Sequence, residues 1–242
     1  MSLSVLILTF NSERTLEKCL RSVSFSPEIV VVDSGSKDKT LDIARKYTSR
    51  IYQHPYKNYG DQINWALEKL TGEWVLVVDS DEEVSPPLRE EIQGVVKEGE
   101  MDGYYIPRKS EFMGKWLNFI WRGDKVLRLF RKGKAVYRER ELGSSPVVEG
   151  RVGRLKNFLL HHPYRDIAHY LEKMNYYTTC AAREIRKKGR VNILDILLRP
   201  PLRFFRVYLI KGGIFDGFPG LIMAILSSFY VFLKYLKAWE KG

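Results

Sequence analysis

The sequence predicts an α/β fold: a mostly parallel sheet with helices on both faces, followed by a mainly helical C-terminal extension. Two observations carry this expectation. Over the first hundred residues short β-rich runs alternate with helical patterns, and that alternation builds right-handed βαβ units whose sheet is covered on both sides. From His169 onward the strand pattern disappears and helical periodicity replaces it.

Leu3 to Thr9 is the first expected strand, and a helical pattern begins near Glu13. Ile29 to Asp33, Arg50 to Gln53 and Trp74 to Asp79 are the next three, with helices beginning near Lys37, Tyr59 and Ser85. Between Tyr104 and His161, short apolar segments such as Val126 to Phe130 and Val147 to Val152 are split by Gly and charge, which predicts mixed sheet and loops. The extension runs through LEKMNYYTTCAAREIRKK, then RFFRVYLIK, then an apolar stretch from Gly217 to Leu233.

The 242 residues suffice for one such domain plus an appendage and are too few for three domains. Hydrophobic residues make up 45% of the chain, so a real core can form, which argues against general disorder and against a polytopic membrane protein. Forty Lys and Arg face 29 Asp and Glu, and the resulting +11 asks for an anionic partner. Nucleic acid is not expected, because no RNP or KH pattern is present. Cys19 and Cys180 lie far apart in helical segments, so neither a disulfide framework nor a Cys-rich metal site is suggested. The opening MSLSVLILTFNSE has no basic residue before its apolar run and no small-residue cleavage site. It reads as a buried first strand rather than a signal peptide, and a cytoplasmic location is expected.

In an open parallel sheet the ligand sits beyond the carboxyl ends of the strands. Those ends here carry Thr9, Phe10, Asn11, Ser12 and Glu13, then Asp33, Ser34 and Gly35, then Asp79, Ser80, Asp81 and Glu82. Any one group would pass as a helix cap or a solvated turn. Three groups meeting at one edge point to a ligand site. Asp79-Ser80-Asp81 follows the apolar run WVLVV. Two carboxylates at the mouth of a buried strand are hard oxygen ligands suited to Mg²⁺ or Mn²⁺, which would bridge to nucleotide phosphates. No G-x-x-x-x-G-K-[ST] or G-x-G-x-x-G follows the first strand, so neither a P-loop NTPase nor a dinucleotide-dependent dehydrogenase is supported. Arg128 and Arg131 alternate with apolar residues on an expected strand, and either meet a phosphate together or form a solvated face.

The blocks SVLILTFNSERTLEKCLRSV, EIVVVDSGSKDKT and NYGDQINWALEKLTGEWVLVVDSDEEV resemble the nucleotide-sugar-binding half of family 2 glycosyltransferases, which have the GT-A fold. The remainder, including KVLRLFRKG, LLHHPYRDIAHYLEKMNYY and YLIKGGIFDGFPGLIMA, is similar to bacterial lipopolysaccharide core glycosyltransferases of the heptose β-1,4-glucosyltransferase kind. The resemblance implies a GT-A (Rossmann-like nucleotide-diphospho-sugar transferase) catalytic domain over 1–165, its nucleotide-sugar-binding half at 1–100 and its acceptor half at 101–165, with the helical extension over 166–242. It implies that Thr9, Phe10, Asn11 and Glu13 lie against the uridine and that Asp33 binds the base edge. It places Gly60, Asp61, Gln62 and Asn64 along the phosphate or ribose side, turns Asp79, with Ser80 beside it, to the ribose, and makes Asp81 the direct metal ligand. The family has a His after the KNFLL run, which here makes His162 a second metal ligand, beside His161. Its third block usually carries an Arg before the Asn, and Gln62-Ile63 stand there instead.

Inverting transfer needs a base near the acceptor hydroxyl and a stabilised leaving group on the opposite side of the anomeric carbon. Relatives place a His-Glu pair after the R-L-F segment; this stretch reads VYRERELGSS, so Arg140-Glu141 aligns with it, Glu139 competes, and Glu149 stands further off. Between Arg183 and Lys211 nine basic residues accompany only Glu184 and Asp195, interleaved with Leu, Phe, Val and Tyr. That basic amphipathic pattern is expected either to lie on an anionic membrane surface or to pack on the catalytic domain or on a second copy in a homodimer. The expected activity is metal-dependent transfer of a hexose, with glucose from UDP-glucose favoured, onto a lipopolysaccharide-core or other lipid-linked saccharide at the inner face of the cell membrane. The alternatives are a polyprenyl-phosphate glycosyltransferase and a catalytically silent nucleotide-binding membrane module.

Overall fold

The computed structural model describes residues 2–138, 145–189 and 191–240. In chain order the elements are β1 (Leu3–Thr9), α1 (Leu16–Ser22), β2 (Glu28–Asp33), α2 (Thr40–Ala44), β3 (Ile51–Gln53), α3 (Tyr59–Leu67), β4 (Trp74–Asp79), β5 (Glu82–Val84) and α4 (Pro86–Glu98). Then follow β6 (Gly103–Phe112), β7 (Lys115–Trp116), β8 (Lys125–Arg131), β9 (Ala135–Tyr137), β10 (Pro146–Val148), β11 (Val152–Arg154), β12 (Leu159–His161), α5 (Ile167–Lys188), α6 (Ile193–Phe205) and α7 (Gly217–Glu240). The four expected N-terminal strands and the helices between them are all present, each helix starting up to three residues late because a capping turn precedes it. The single expected run Val147 to Val152 divides into β10 and β11 around Gly150, whose φ of +116° suits glycine alone.

The chain divides into two compact units, Met1–Arg108 with Gly123–His162, and Lys109–Arg122 with Pro163–Gly242. This division falls at His162/Pro163, beside the expected 165/166, and groups Lys109–Arg122 with the helical extension.

In the first unit β3, β2, β1 and β4 run parallel, and β8 joins β4 antiparallel, followed by β6. Successive residues of a strand point to opposite faces. Val5, Ile7, Trp74, Leu76 and Val78 thus meet α1 and α4 through Leu16, Leu20, Leu88 and Ile92. Leu6, Val30, Val32, Val75 and Val77 meet α3 through Ile63 and Ala66. Both faces are covered, which is why these strands read as unbroken apolar runs.

The second unit has its own core. Phe112, Leu117 and Ile120 pack with Tyr170 and Met174 of α5 and with Met223 and Ala224 of α7. Asp216, just before α7, accepts the backbone N–H groups of Asn118, Phe119 and Ile120 at 2.8–3.3 Å. Asp166 caps α5 by accepting from His169 N at 2.8 Å, and Asn192 with Asp195 forms a capping box on α6. Pro200 and Pro201 lie inside α6, which passes into a π-helical turn at Arg206–Ile210.

Candidate active site

Strand order reverses at β1: β2 lies on one side of it and β4 on the other, so the connections diverge beyond the carboxyl ends of β1 and β4. Register lines up the polar ends, pairing Thr9 with Asp33 and Leu8 with Asp79.

The loops at these ends are laced together. Asn11 adopts a left-handed backbone with φ of 47°, which Asn tolerates better than most residues, and its Oδ1 accepts from Lys37 N at 2.9 Å. Glu13 Oε2 accepts from Lys39 N at 3.2 Å. Ser12 Oγ and Ser80 Oγ share a 2.8 Å hydrogen bond that ties the β1 loop to the β4 loop. Phe10 stands exposed at the mouth. Asp33 is fully buried; its carboxylate accepts from Gly35 N and Ser36 N at 2.9 Å and from Ser36 Oγ at 2.5 Å. These bonds hold the carboxylate in place while shaping the turn that follows β2.

Two other expected donor residues also have scaffold duties. Asn64 spans the backbone of Tyr137, donating to its carbonyl at 2.8 Å and accepting its N–H at 3.0 Å, so both ends of the amide are engaged. Gln62 Nε2 donates to the His54 carbonyl at 2.9 Å and reaches Ser34 Oγ at 3.3 Å, while its Oε1 is buried with no partner among the described residues. Thr9 Oγ1 is in the same condition. Gly60 is buried in the first turn of α3, and Asp61 pairs with His54, whose ring stacks on Trp65 at 4.5 Å.

A charge network missed by the sequence reading underlies the mouth of β4. Asp79 accepts from Tyr59 Oη at 2.9 Å and is bonded by Arg128 Nη2. Glu82 is fully buried, accepts from Asp79 N at 3.1 Å and faces Arg108 Nη1 at 3.4 Å; Arg108 also bonds Asp124 at 2.9 Å. Burial and the neighbouring Asp79 push the Glu82 carboxyl well above the usual carboxylate range, against the pull of Arg108. Burial lowers the pKa of Arg128. It also opposes the charge on Arg108, but Glu82 and Asp124 outweigh it and the net shift is upward. The Tyr137 hydroxyl is pushed up by burial and has no partner among the described residues. Arg128 and Arg131 do not share a face. Arg128 turns to Asp79, whereas Arg131, three residues on, bonds Glu73 at the opposite end of β4 and covers Trp74.

Beyond this network stands Asp81. β12 runs antiparallel to β5, and strand alternation turns the adjacent histidines apart. His161 Nε2 lies 3.6 Å from Asp81 Oδ2, whereas His162 Nε2 lies 2.9 Å from Glu83 Oε1. The imidazole beside the Asp81 carboxylate is thus that of His161, while His162, the expected ligand, donates its backbone N–H to the Asp81 carbonyl at 2.8 Å. No group of three or more His, Cys, Asp or Glu side chains is arranged to hold a metal among the described residues. The candidate bases Glu139 and Glu141 lie outside the described residues; Glu149 is exposed.

The family model for Glycosyl transferase family 2 matches residues 4–148. The lipopolysaccharide core biosynthesis glycosyltransferase LpsC of Rhizobium meliloti (strain 1021) is 30% identical over 251 residues, covering 100% of this chain and 93% of that protein. The uncharacterized glycosyltransferase RT0209 of Rickettsia typhi is 24% identical, covering 98% of this chain and 87% of that protein. Among solved structures S. aureus TarS 1–349 superposes with a TM-score of 0.52 at 17% identity, covering 100% of this chain and 90% of that one, and it has also been solved in complex with UDP-GlcNAc. Reversal of strand order at β1, polar residues gathered at the strand ends beside it, and these matches agree: the chain is a glycosyltransferase of the GT-A fold and belongs to glycosyl transferase family 2.

Proposed function

We propose that this enzyme is an inverting, metal-dependent hexosyltransferase that moves glucose from UDP-glucose onto a lipopolysaccharide-core or other lipid-linked saccharide at the cytoplasmic face of the membrane. The observation that carries the reading is the pairing of Asp81 with His161 above the anchored Asp79 at the mouth of β4. LpsC, similar along the whole chain, supports the acceptor class through its part in lipopolysaccharide core biosynthesis. TarS, which shares the fold, supports a UDP-sugar donor through its complex with UDP-GlcNAc.

One carboxylate oxygen and one imidazole nitrogen form a donor set that suits Mn²⁺ better than Mg²⁺, which prefers oxygen ligands alone. Asp81 and His161 would hold the ion, whose chemistry is to draw negative charge off the leaving diphosphate. The chain's own residues do the rest. Phe10, Asn11 and Glu13 offer the exposed side of the β1 loop to the uridine, and Asp33 keeps the neighbouring turn in shape. Thr9 Oγ1 and Gln62 Oε1, buried with no partner among the described residues, are the kind of polar atoms that a bound nucleotide satisfies. Arg128 and Tyr59 fix Asp79, with Ser80 joined to Ser12, so that Asp79 meets the ribose in one orientation. Glu141, with Glu139 as competitor, accepts the proton of the acceptor hydroxyl as its oxygen bonds to the anomeric carbon and the bond to the diphosphate breaks on the opposite face.

Asp81→Ala is expected to lower metal-dependent turnover of UDP-glucose on the order of 10²–10³-fold with an unchanged thermal midpoint; unchanged turnover would sink the assignment. Thermal shifts with UDP-, GDP- and dTDP-sugars, with and without Mn²⁺, test the donor, since ligand binding to the native state raises the midpoint. Glu141→Gln is expected to keep the donor-induced shift and lose transfer. Loss with Glu139→Gln instead would move the base to that residue.

A further inference from the structure

The second unit turns an apolar helix face outward. α6 buries Ile196 and Pro200, whereas Ile193, Leu194, Leu197, Leu198, Leu202 and Phe205 each stand more than half exposed. The exposure continues into the turns that follow, where Ile210 is 81% and Phe215 72% exposed. In a soluble protein such a stripe faces a core. An apolar surface this continuous marks an interaction site.

Between α6 and α7 a groove of about 610 Å³ opens, lined by Leu197, Pro200, Phe204, Phe205, Ile225 and Phe229 among others, a size at which pockets hold small ligands. Its one lining hydroxyl, on Ser228, already donates to the Pro200 carbonyl at 2.8 Å. The groove is thus suited to hydrocarbon and offers little to a polar ligand.

Charge identifies the occupant. Arg199, Arg203 and Arg206 recur at i, i+4 and i+7 and so form one stripe of the helix, away from the Leu194 and Leu198 stripe. Lys234 of α7 joins them, and burial together with Arg203 and Arg199 holds its ammonium below the ordinary lysine value. Asp195 bonds Arg199. Among the described residues no carboxylate meets Arg203, Arg206 or Lys234. An apolar face accompanied by uncompensated cations is complementary to anionic phospholipid.

The segment Gly213–Glu240 is long and apolar enough to cross a membrane, its most apolar 18-residue window having a mean hydropathy of 1.6. Its contacts oppose a span. Lys237 Nζ bonds Asn175, Thr178 and Thr179 of α5 at 2.7–2.9 Å, and Arg186 of α5 bonds the Lys237 carbonyl at 3.1 Å. Crossing the bilayer would draw α7 away from α5 and break these bonds.

We propose that this face is a monotopic docking surface for an anionic phospholipid bilayer. The outer ridge of α6 and the following turns enter one leaflet, the α6–α7 groove takes one acyl chain, and Arg203, Arg206 and Lys234 meet headgroup phosphates. The proposal rests on the membrane-face location above and is independent of the donor chemistry.

Co-sedimentation of the whole chain with vesicles of equal parts phosphatidylcholine and phosphatidylglycerol tests it, with no donor or acceptor present. Binding is expected there and about tenfold weaker on phosphatidylcholine alone; equal binding to both would overturn the headgroup assignment. Leu197→Glu combined with Leu198→Glu is expected to reduce partitioning at least about tenfold while the melting temperature and the UDP-glucose-induced shift stay unchanged. Undiminished binding would overturn the docking face. For the groove, the added emission of Phe205→Trp is expected to shift to the blue and to be quenched by phosphatidylglycerol brominated on its acyl chains. Emission still open to aqueous iodide in the vesicle-bound state would overturn acyl insertion. A chain that ignores vesicles and forms a concentration-dependent dimer, lost in the double Glu variant, would give the face to a second copy and overturn the proposal. Donor-induced thermal shifts are read separately, so failure of the transferase reading and failure of this one are distinguishable.

Discussion

The two units treat apolar side chains in opposite ways. In the first, the apolar residues of β1 and β4 are covered on both faces and the buried polar groups beneath the strand ends are mostly paired with one another. In the second, α6 carries a comparable density of Leu and Ile and leaves most of it uncovered. Residue type therefore does not decide burial; the elements laid over a face decide it. The first unit gathers its polar groups at the strand ends, and the second leaves an apolar surface open.

Substitutions can break or sharpen that contrast. The largest stability loss is expected for Arg128→Met, which leaves Asp79 and Glu82 without their buried partner and should cost about 3–5 kcal/mol in urea unfolding. A loss below about 1 kcal/mol would mean that Arg108 alone compensates these acids. Next comes Leu76→Ala in the middle of β4, expected to cost about 2–5 kcal/mol because the cavity cannot collapse between two covered faces. Asn64→Ala removes both bonds to the Tyr137 backbone and should cost about 1–3 kcal/mol. Asp166→Ala, which uncaps α5, is expected to cost about 1 kcal/mol. At the small end, Leu202→Ala on the exposed ridge of α6 should change stability in solution by no more than about 0.5 kcal/mol. If it cost as much as Leu76→Ala, the face would be covered in solution and the contrast would fail.

Much of the first unit was legible because its signals are local. Apolar runs ending in polar residues mark strands of a doubly covered sheet, and the rule that ligands sit beyond their carboxyl ends then gathers Thr9, Asp33 and Asp79 without any knowledge of contacts. What stayed hidden depends on parity or on pairings distant in sequence. His161 and His162 are neighbours in the chain, and only the register of β12 against β5 decides which one reaches Asp81. Arg128 and Arg131 seem alike in VLRLFRKG, yet a spacing of three puts them on opposite sides of a strand. That odd spacing was readable. The acidic run containing Glu82 gave no hint that this carboxylate would be the fully buried one, since its pairing with Arg108 spans 26 residues. The pairing of Asn64 with the Tyr137 backbone was equally hidden, because nothing local announces a partner 73 residues away.

The assignment of Lys109–Arg122 to the second unit also bears on how the chain is made. Phe112, Leu117 and Ile120 leave the ribosome long before Tyr170, Met174 and Met223, the residues that cover them. Synthesis runs from the N-terminus and units fold as they are completed, so the first unit can assemble around a hairpin whose apolar side chains still await partners. A gene fragment ending at 165 would hold that hairpin in this condition permanently. Such a fragment should aggregate through Phe112, Leu117 and Ile120, even though the whole nucleotide-facing sheet would be present in it.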